Sequence, residues 1–232
     1  MSDCDRRAPS SSGVRVLGLT VWAAVLVACG SSEGSERPSG RGELVAAAAR
    51  GDTAAVERLL AAGADVDATD GRRRTAVTAG AIARHAGTVR ALVDAGADVD
   101  RQDSERNNAL LVSGETGDVA VVREVLRAHP DLRATNRFGG TALIPASDRG
   151  HVAVVRALLD TAIDVDHVNR LGWTALLEAV ILGDGGPAHQ EIVRLLVAAG
   201  ADTTIADRDG TTALEHARER GYDEMVRILE GG

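Results

Sequence analysis

From residue 43 onward the chain alternates short apolar stretches of helical spacing with shorter polar breaks, and the stretches come in pairs. One pair runs from Thr141 to Gly150 and from Val152 to Thr161. Each member is too short to be a stable helix alone and has one apolar face that must be covered from outside. The pattern predicts an all-α domain over residues 43–231, built of helix pairs that shield one another.

The pairs share one phase. Thr75, Asn108, Thr141 and Thr174 open successive units at 33-residue spacing, and Thr212 follows after 38. Leu44, Val77, Leu110, Leu143, Leu176 and Leu214 occupy one column of the first helix, and Val56, Val89, Val122, Val155, Val193 and Val226 one of the second. Leu59, Leu92, Val125, Leu158, Leu196 and Leu229 make a third. A fourth column, Ala47, Gly80, Ser113, Ala146, Ala179 and Ala217, is small throughout, so first helices of adjacent units can approach closely. Between units lie DGRRR, DSERN, NRFGG, NRLGW and DRDGT. Each opens with Asp or Asn, which can bond the turn backbone, and three carry Gly at the fourth place.

The threonine start, the Val-Val-x-x-Leu-Leu run and the closing Gly-Ala-Asp (Gly63, Gly96, Gly200) at this period resemble the ankyrin repeat. The resemblance implies a solenoid of five to six stacked helix-turn-helix units with short β-hairpin fingers, and a concave face made by finger tips and first helices. It also sets three departures in relief. Arg73 and Arg106 stand where glycine is usual, which puts the geometry of the first two fingers in doubt. Alanine replaces the family's proline after the opening residue in all five units, and its histidine two places later is Thr78, Leu111, Ile144, Leu177 or Glu215. Loss of that histidine predicts a stack of lower polar rigidity.

The long spacing has a local cause. Gly183 aligns with Gly150 and His189 with His151, so 184–188 (DGGPA) is an insertion at the turn between first and second helices. It carries neither a lysine nor a dinucleotide fingerprint, which a phosphate cradle would need. It reads as a spacer, with Pro187 suited to a helix's first turn and His189 to the capping or packing role of His151.

Ahead of the repeats, Arg6, Arg7 and Arg15 precede an uncharged apolar run from Val16 to Ala28, too short to span a bilayer and of signal-peptide length. Leu26-Val27-Ala28-Cys29 resembles the bacterial lipoprotein box. This predicts a signal peptide over 1–28, lipidation of Cys29 and a flexible Gly/Ser-rich linker over 29–42. The protein is then expected on the extracytoplasmic side of a bacterial membrane, periplasmic or surface, held by its lipid alone.

Composition narrows the chemistry. Of 232 residues, 44% are hydrophobic but only 2% aromatic, which suits closely packed helices. The net charge of −8 argues against nucleic acid as a partner. Both cysteines, Cys4 and Cys29, precede the repeats, so the repeats contain no thiol chemistry. The histidines at 85, 129, 151, 167, 189 and 216 lack metal-ligand spacing. Ser147, Asp148 and His151 look triad-like but lie together at one helix end, without a strand-to-helix elbow. Asp65, Asp98, Asp164 and Asp202 recur at one place per unit, as turn residues do. No catalytic residue, metal or cofactor is predicted.

What remains is binding. The predicted protein-binding residues are Arg72, Arg74, Arg101, Arg106, Arg137, Phe138, Arg170, Leu171, Trp173 and Arg208, since arginine and aromatic side chains anchor interfaces. Trp173 can instead pack between fingers, and the arginines suit either an acidic partner edge or a solvated face. The chain is expected to be a monomeric, non-catalytic scaffold for a protein partner. Two alternatives remain open: a chaperone-like stabiliser of an exported enzyme, and a hydrolase or small-ligand receptor using 184–188.

Overall fold

The computed structural model describes residues 41–231; the leader 1–28, Cys29 and the linker up to residue 40 lie outside the described residues. Among the described residues twelve helices follow one another in six pairs. They are α1 (Arg41–Ala49) with α2 (Thr53–Ala61), α3 (Ala76–Ile82) with α4 (Ala86–Asp94), and α5 (Ala109–Thr116) with α6 (Val119–Leu126). Then come α7 (Leu143–Asp148) with α8 (Val152–Leu159), α9 (Ala175–Ile181) with α10 (Pro187–Ala198), and α11 (Ala213–Glu219) with α12 (Asp223–Glu230). First helices touch first helices in chain order and second helices touch second helices, so two layers run the length of the stack.

The columns are the core. Val56, Val89, Val122, Val155 and Val193 are fully buried, as are Leu92 and Leu158, while Leu59, Leu214 and Val226 in the end units are only partly covered. Among the described residues the end units are stacked on one side only, and part of their apolar stripes is left less covered. The small column is buried in all six units. One place is tighter still: a Cβ on Gly114 would lie 2.4 Å from the carbonyl oxygen of Ala142, so α5 meets the start of the next unit backbone to backbone.

Thr75, Asn108, Thr174 and Thr212 cap their helices by accepting the amide three residues on, which satisfies one of the free N–H groups of the first turn. Thr141 does not. Pro145 has no N–H to give the Thr141 carbonyl, the Ile144 amide turns to that carbonyl at 3.3 Å instead, and the Thr141 hydroxyl is left buried without a partner. Helix α7 is accordingly only six residues long.

Among the described residues the fingers hold no strand; isolated antiparallel bridges at Thr69–Thr75 and Ala206–Thr212 are their only β pairing. All five turns are nevertheless alike. The leading Asp70, Asp103, Asn136, Asn169 or Asp207 accepts through Oδ1 from the amides two and four residues on. The fourth residue has positive φ whether it is Gly139, Gly172 or Gly210, or Arg73 at 61° and Arg106 at 63°. The doubt about the first two fingers is therefore removed: the Asx bonds impose the turn on arginine, with backbone strain as the cost.

Polar bonds nevertheless link successive units. His151 and His189 reach back through Nε2 to the carbonyls of Glu115 and Asp148, equivalent sites one unit earlier, at 3.0 and 2.9 Å. Asp67, Asp100 and Asp166 each accept the amide of the next unit's turn aspartate, Asp98, Asp131 and Asp202. Polar cross-links between units are thus made at two columns.

The insertion is absorbed into the same scheme. Pro187 is the first residue of α10, which gains length at its N-terminus, and Asp184 Oδ1 lies 2.9 Å from His189 Nδ1. Gly185 takes the positive-φ place, its open side filled by the Tyr222 ring, and the Tyr222 hydroxyl donates to the Gly183 carbonyl at 3.1 Å. The same ring-over-glycine contact joins His85 to Gly51, His151 to Gly117 and His189 to Gly150. Where the glycine is replaced, by Arg84 at φ 62°, the following unit presents Asp118 and no ring.

Candidate protein-binding groove

The third residue of each finger sets its chemistry. In chain order these are Arg72, Glu105, Phe138, Leu171 and Asp209, charged at both ends of the stack and apolar at its centre. Phe138 and Leu171 are 54% and 48% exposed, and Leu182, at the end of α9, is 49% exposed. These three, with Ile144 and Pro145, border one cavity of about 240 Å³ between the third and fourth fingers and helices α5, α7 and α9. Gly140 keeps the space open, since Arg74, Asn107, Trp173 and Thr211 fill its place in the other fingers.

The charged lining is mostly acidic. Glu115 and Asp148 border the cavity, and Arg149 sits 3.5 and 3.3 Å from them. Glu178 is only 7% exposed. Its Oε1 accepts from Asn169 Nδ2 at 2.7 Å, and Oε2 has no hydrogen bond among the described residues. Burial, helped by the charge of Asp148, pushes its carboxyl up to about 7, against the pull of the Asn169 bond. In the last unit the equivalent place holds His216, which bonds Asp207 at 2.7 Å, so the same contact from first helix to finger is made there with a self-contained pair.

The sequence-predicted residues fall into three groups. Phe138 and Leu171 meet at the groove. Trp173 is partly buried and packs against the core. The arginines divide between internal use and exposure. Arg74 is held by Asp70 at 2.7 Å, and Arg137 pairs with Glu105 while its guanidinium lies 4.7 Å from the centre of the Phe138 ring. Arg170 donates to the Arg137 carbonyl at 2.8 Å, and Arg208 donates to that of Arg170. Arg72, Arg101 and Arg106 are exposed and form no ion pair among the described residues.

Glu178, Asp148, Asn136, Asn169, Ile144 and Leu182 were not among the predicted contacts. A signal existed for the first. Its column reads Ala79, Val112, Pro145, Glu178 and His216, and an acid among mostly apolar residues facing a finger is an exception worth explaining.

Nothing at the helix ends assembles a catalytic centre. Ser147 is fully buried, its hydroxyl unpartnered, while His151 is turned to the Glu115 carbonyl. No group of acids, histidines or cysteines suited to a metal ion occurs among the described residues.

Comparisons with known proteins agree with this architecture. The family model for ankyrin repeats (three copies) matches residues 44–136 and 112–207. The Escherichia coli K12 ankyrin repeat protein YahD is 48% identical over 52 residues, a match spanning 22% of this chain and 26% of that protein. The crystal structure of an ankyrin repeat domain from Acinetobacter baumannii AYE superposes with a TM-score of 0.78 at 44% identity, covering 81% of this chain and 96% of that one. The ankyrin repeat domain of Bcl-3, a member of the IkappaB family, gives 0.72 at 29%, covering 81% and 84%. Repeat phase, layered helix pairs and these matches agree: the chain belongs to the ankyrin-repeat family, and its repeats are a protein–protein interaction domain.

Proposed function

We propose that the protein is a non-catalytic scaffold that holds a protein partner in the groove between its third and fourth fingers, on the extracytoplasmic side of a bacterial membrane. One observation carries the placement: of the five exposed large hydrophobic side chains among the described residues, Ile82, Phe138, Val168, Leu171 and Leu182, three border this one cavity. Exposed apolar groups gathered at a concavity, rather than scattered, are what an interface core requires. Anchoring through a lipid on Cys29 follows from the leader pattern alone.

Crosslinking in the native envelope followed by pull-down is the direct test. Capture should fall at least about tenfold with Phe138→Ser and Leu171→Ser together, while both exposed side chains leave the fold unharmed. Undiminished capture by the folded double variant removes the groove from the interface. Separately, Cys29→Ala should abolish labelling by a fatty-acid analogue and release the chain from the membrane fraction.

A further inference from the structure

The proposed partner site has a chemistry of its own. Resting on the groove assigned above, we infer that it takes a basic side chain of the partner, a guanidinium or ammonium on an aliphatic stem, laid along Phe138 and Leu171 with its head at Glu178.

Two independent features lead there. The first is charge. Glu115, Asp148 and Glu178 line the cavity against a single bordering cation, Arg149, which is already shared between Glu115 and Asp148. The local balance is negative, and the finger arginines that could reverse it are turned to Glu105 and to backbone carbonyls. The second is an unfinished hydrogen-bond set. Glu178 is more than nine-tenths buried and lines the cavity, yet among the described residues only one of its two carboxyl oxygens has a partner. That second oxygen is open to the solvent of the cavity, and a cationic donor entering there gains a charge-assisted hydrogen bond to it.

The rest of the wall fits the stem. Phe138, Leu171 and Leu182 offer apolar surface to the methylene groups that carry a basic head, the arrangement in which long charged side chains bury their stems. An acidic side chain would be repelled by Glu178, and a neutral donor would pair with Oε2 without the charge that strengthens the bond. Asn136 completes the site: its Oδ1 is taken by the Phe138 and Gly140 amides, whereas its Nδ2 has no partner among the described residues and borders the same cavity. That donor suits a carbonyl on the partner's backbone.

The test uses small probes on the folded chain. Hexylguanidinium, hexanol and heptanoate share one hexyl tail and differ in the head, and each is titrated while the backbone resonances of Phe138, Leu171 and Glu178 are followed by NMR. Saturable shifts are expected with hexylguanidinium, in the millimolar range that suits a fragment. Binding of the other two should be weaker by about tenfold or more. Glu178→Gln keeps size and fold but loses the charge, and should sharply reduce the preference for the cationic head, to which Glu115 and Asp148 still contribute, while leaving tail contacts.

Equal binding of all three probes, no saturable shift with any, or an unchanged preference in Glu178→Gln overturns the inference. Its failure is separable from failure of the groove itself. If the captured partner is lost with Phe138→Ser and Leu171→Ser but retained by Glu178→Gln, the groove stands and the basic anchor falls.

Discussion

The first two fingers and the middle two share one backbone turn and put it to different uses. In the first finger Asp70 is closed by Arg74 from its own turn, and the helix position facing it is the small Ala79. In the third, Gly140 stands in place of Arg74 and Pro145 in place of Ala79, so no side chain closes over the finger and a cavity opens. In the fourth, Glu178 takes that helix position and Trp173 turns to the core. The outer fingers are charged at the tip, while the central two are apolar there and share the cavity. Backbone geometry thus fixes where a groove lies, and a few residues per unit decide whether it is there at all.

Breaking the backbone contact beneath the groove should have the largest effect. Gly114 lies against the Ala142 carbonyl with no room for a Cβ, so Gly114→Val must push α5 and α7 apart at the centre of the stack. A loss of about 4 kcal/mol in urea unfolding is expected, against less than about 1 kcal/mol for the same change at Gly87, where a Cβ meets nothing. Similar losses at the two sites would mean that the stack tolerates a wider central joint.

Next comes the buried acid, which has no counterpart in the first fingers. Folding raises the Glu178 carboxyl from the ordinary 4.5 to about 7, so the folded state holds its proton more tightly than the unfolded chain does. Its contribution is therefore most favourable below about pH 4.5 and is lost as pH rises towards 7. The change is about 2 kcal/mol, since water at the groove mouth screens part of the full shift. Relative to wild type, Glu178→Gln should gain stability across that window and show no further gain above it. Parallel pH profiles for the two proteins would contradict this.

How far the residues alone foretell this depends on whether a feature repeats. Leu143, Val155 and Leu158 are legible because the same column is apolar in the other units, and one helix pair predicts the next. Asp65 and Asp98 are legible as turn residues for the same reason. The groove was half legible: Phe138 and Leu171 stand out by type, but Glu178 matters through burial, and burial depends on Asn169 and α7 packing around it. Arg73 and Arg106 misled because a residue-type preference for glycine was read as a geometry, when two backbone bonds to Asp70 and Asp103 settle it. Trp173 shows the converse, a residue typical of interfaces that the adjacent core takes up.

Pro145 ties the open finger to a local defect, and removing it should repair one at the expense of the other. With Pro145→Ala an amide becomes available to the Thr141 carbonyl, the Ile144 amide returns to the Thr141 hydroxyl, and α7 regains the cap its neighbours have. Stability should rise by about 1 kcal/mol, the usual worth of such a cap. The loss of ring atoms from the wall should weaken hexylguanidinium binding slightly. An unchanged midpoint would mean that the proline is not what deprives Thr141 of its partner.

The smallest effect belongs to the outer fingers. Arg73 and Arg106 hold positive φ angles that cost a non-glycine residue on the order of 1 kcal/mol, and neither forms an ion pair among the described residues. Replacing each by glycine relieves that strain but adds freedom to the unfolded chain, so a net gain of about 0.5 kcal/mol per site is expected. The middle fingers have already made this exchange, and there it serves a second purpose: a Cβ on Gly139 or Gly172 would lie 2.8 Å from Cγ of Arg170 or Arg208, the side chain that crosses it from the next finger. Gly139→Arg should therefore cost more than Arg106→Gly returns, because it restores the strain and displaces Arg170 as well. Equal and opposite changes at the two sites would show that backbone strain is the whole of the difference and that the crossing arginine contributes nothing.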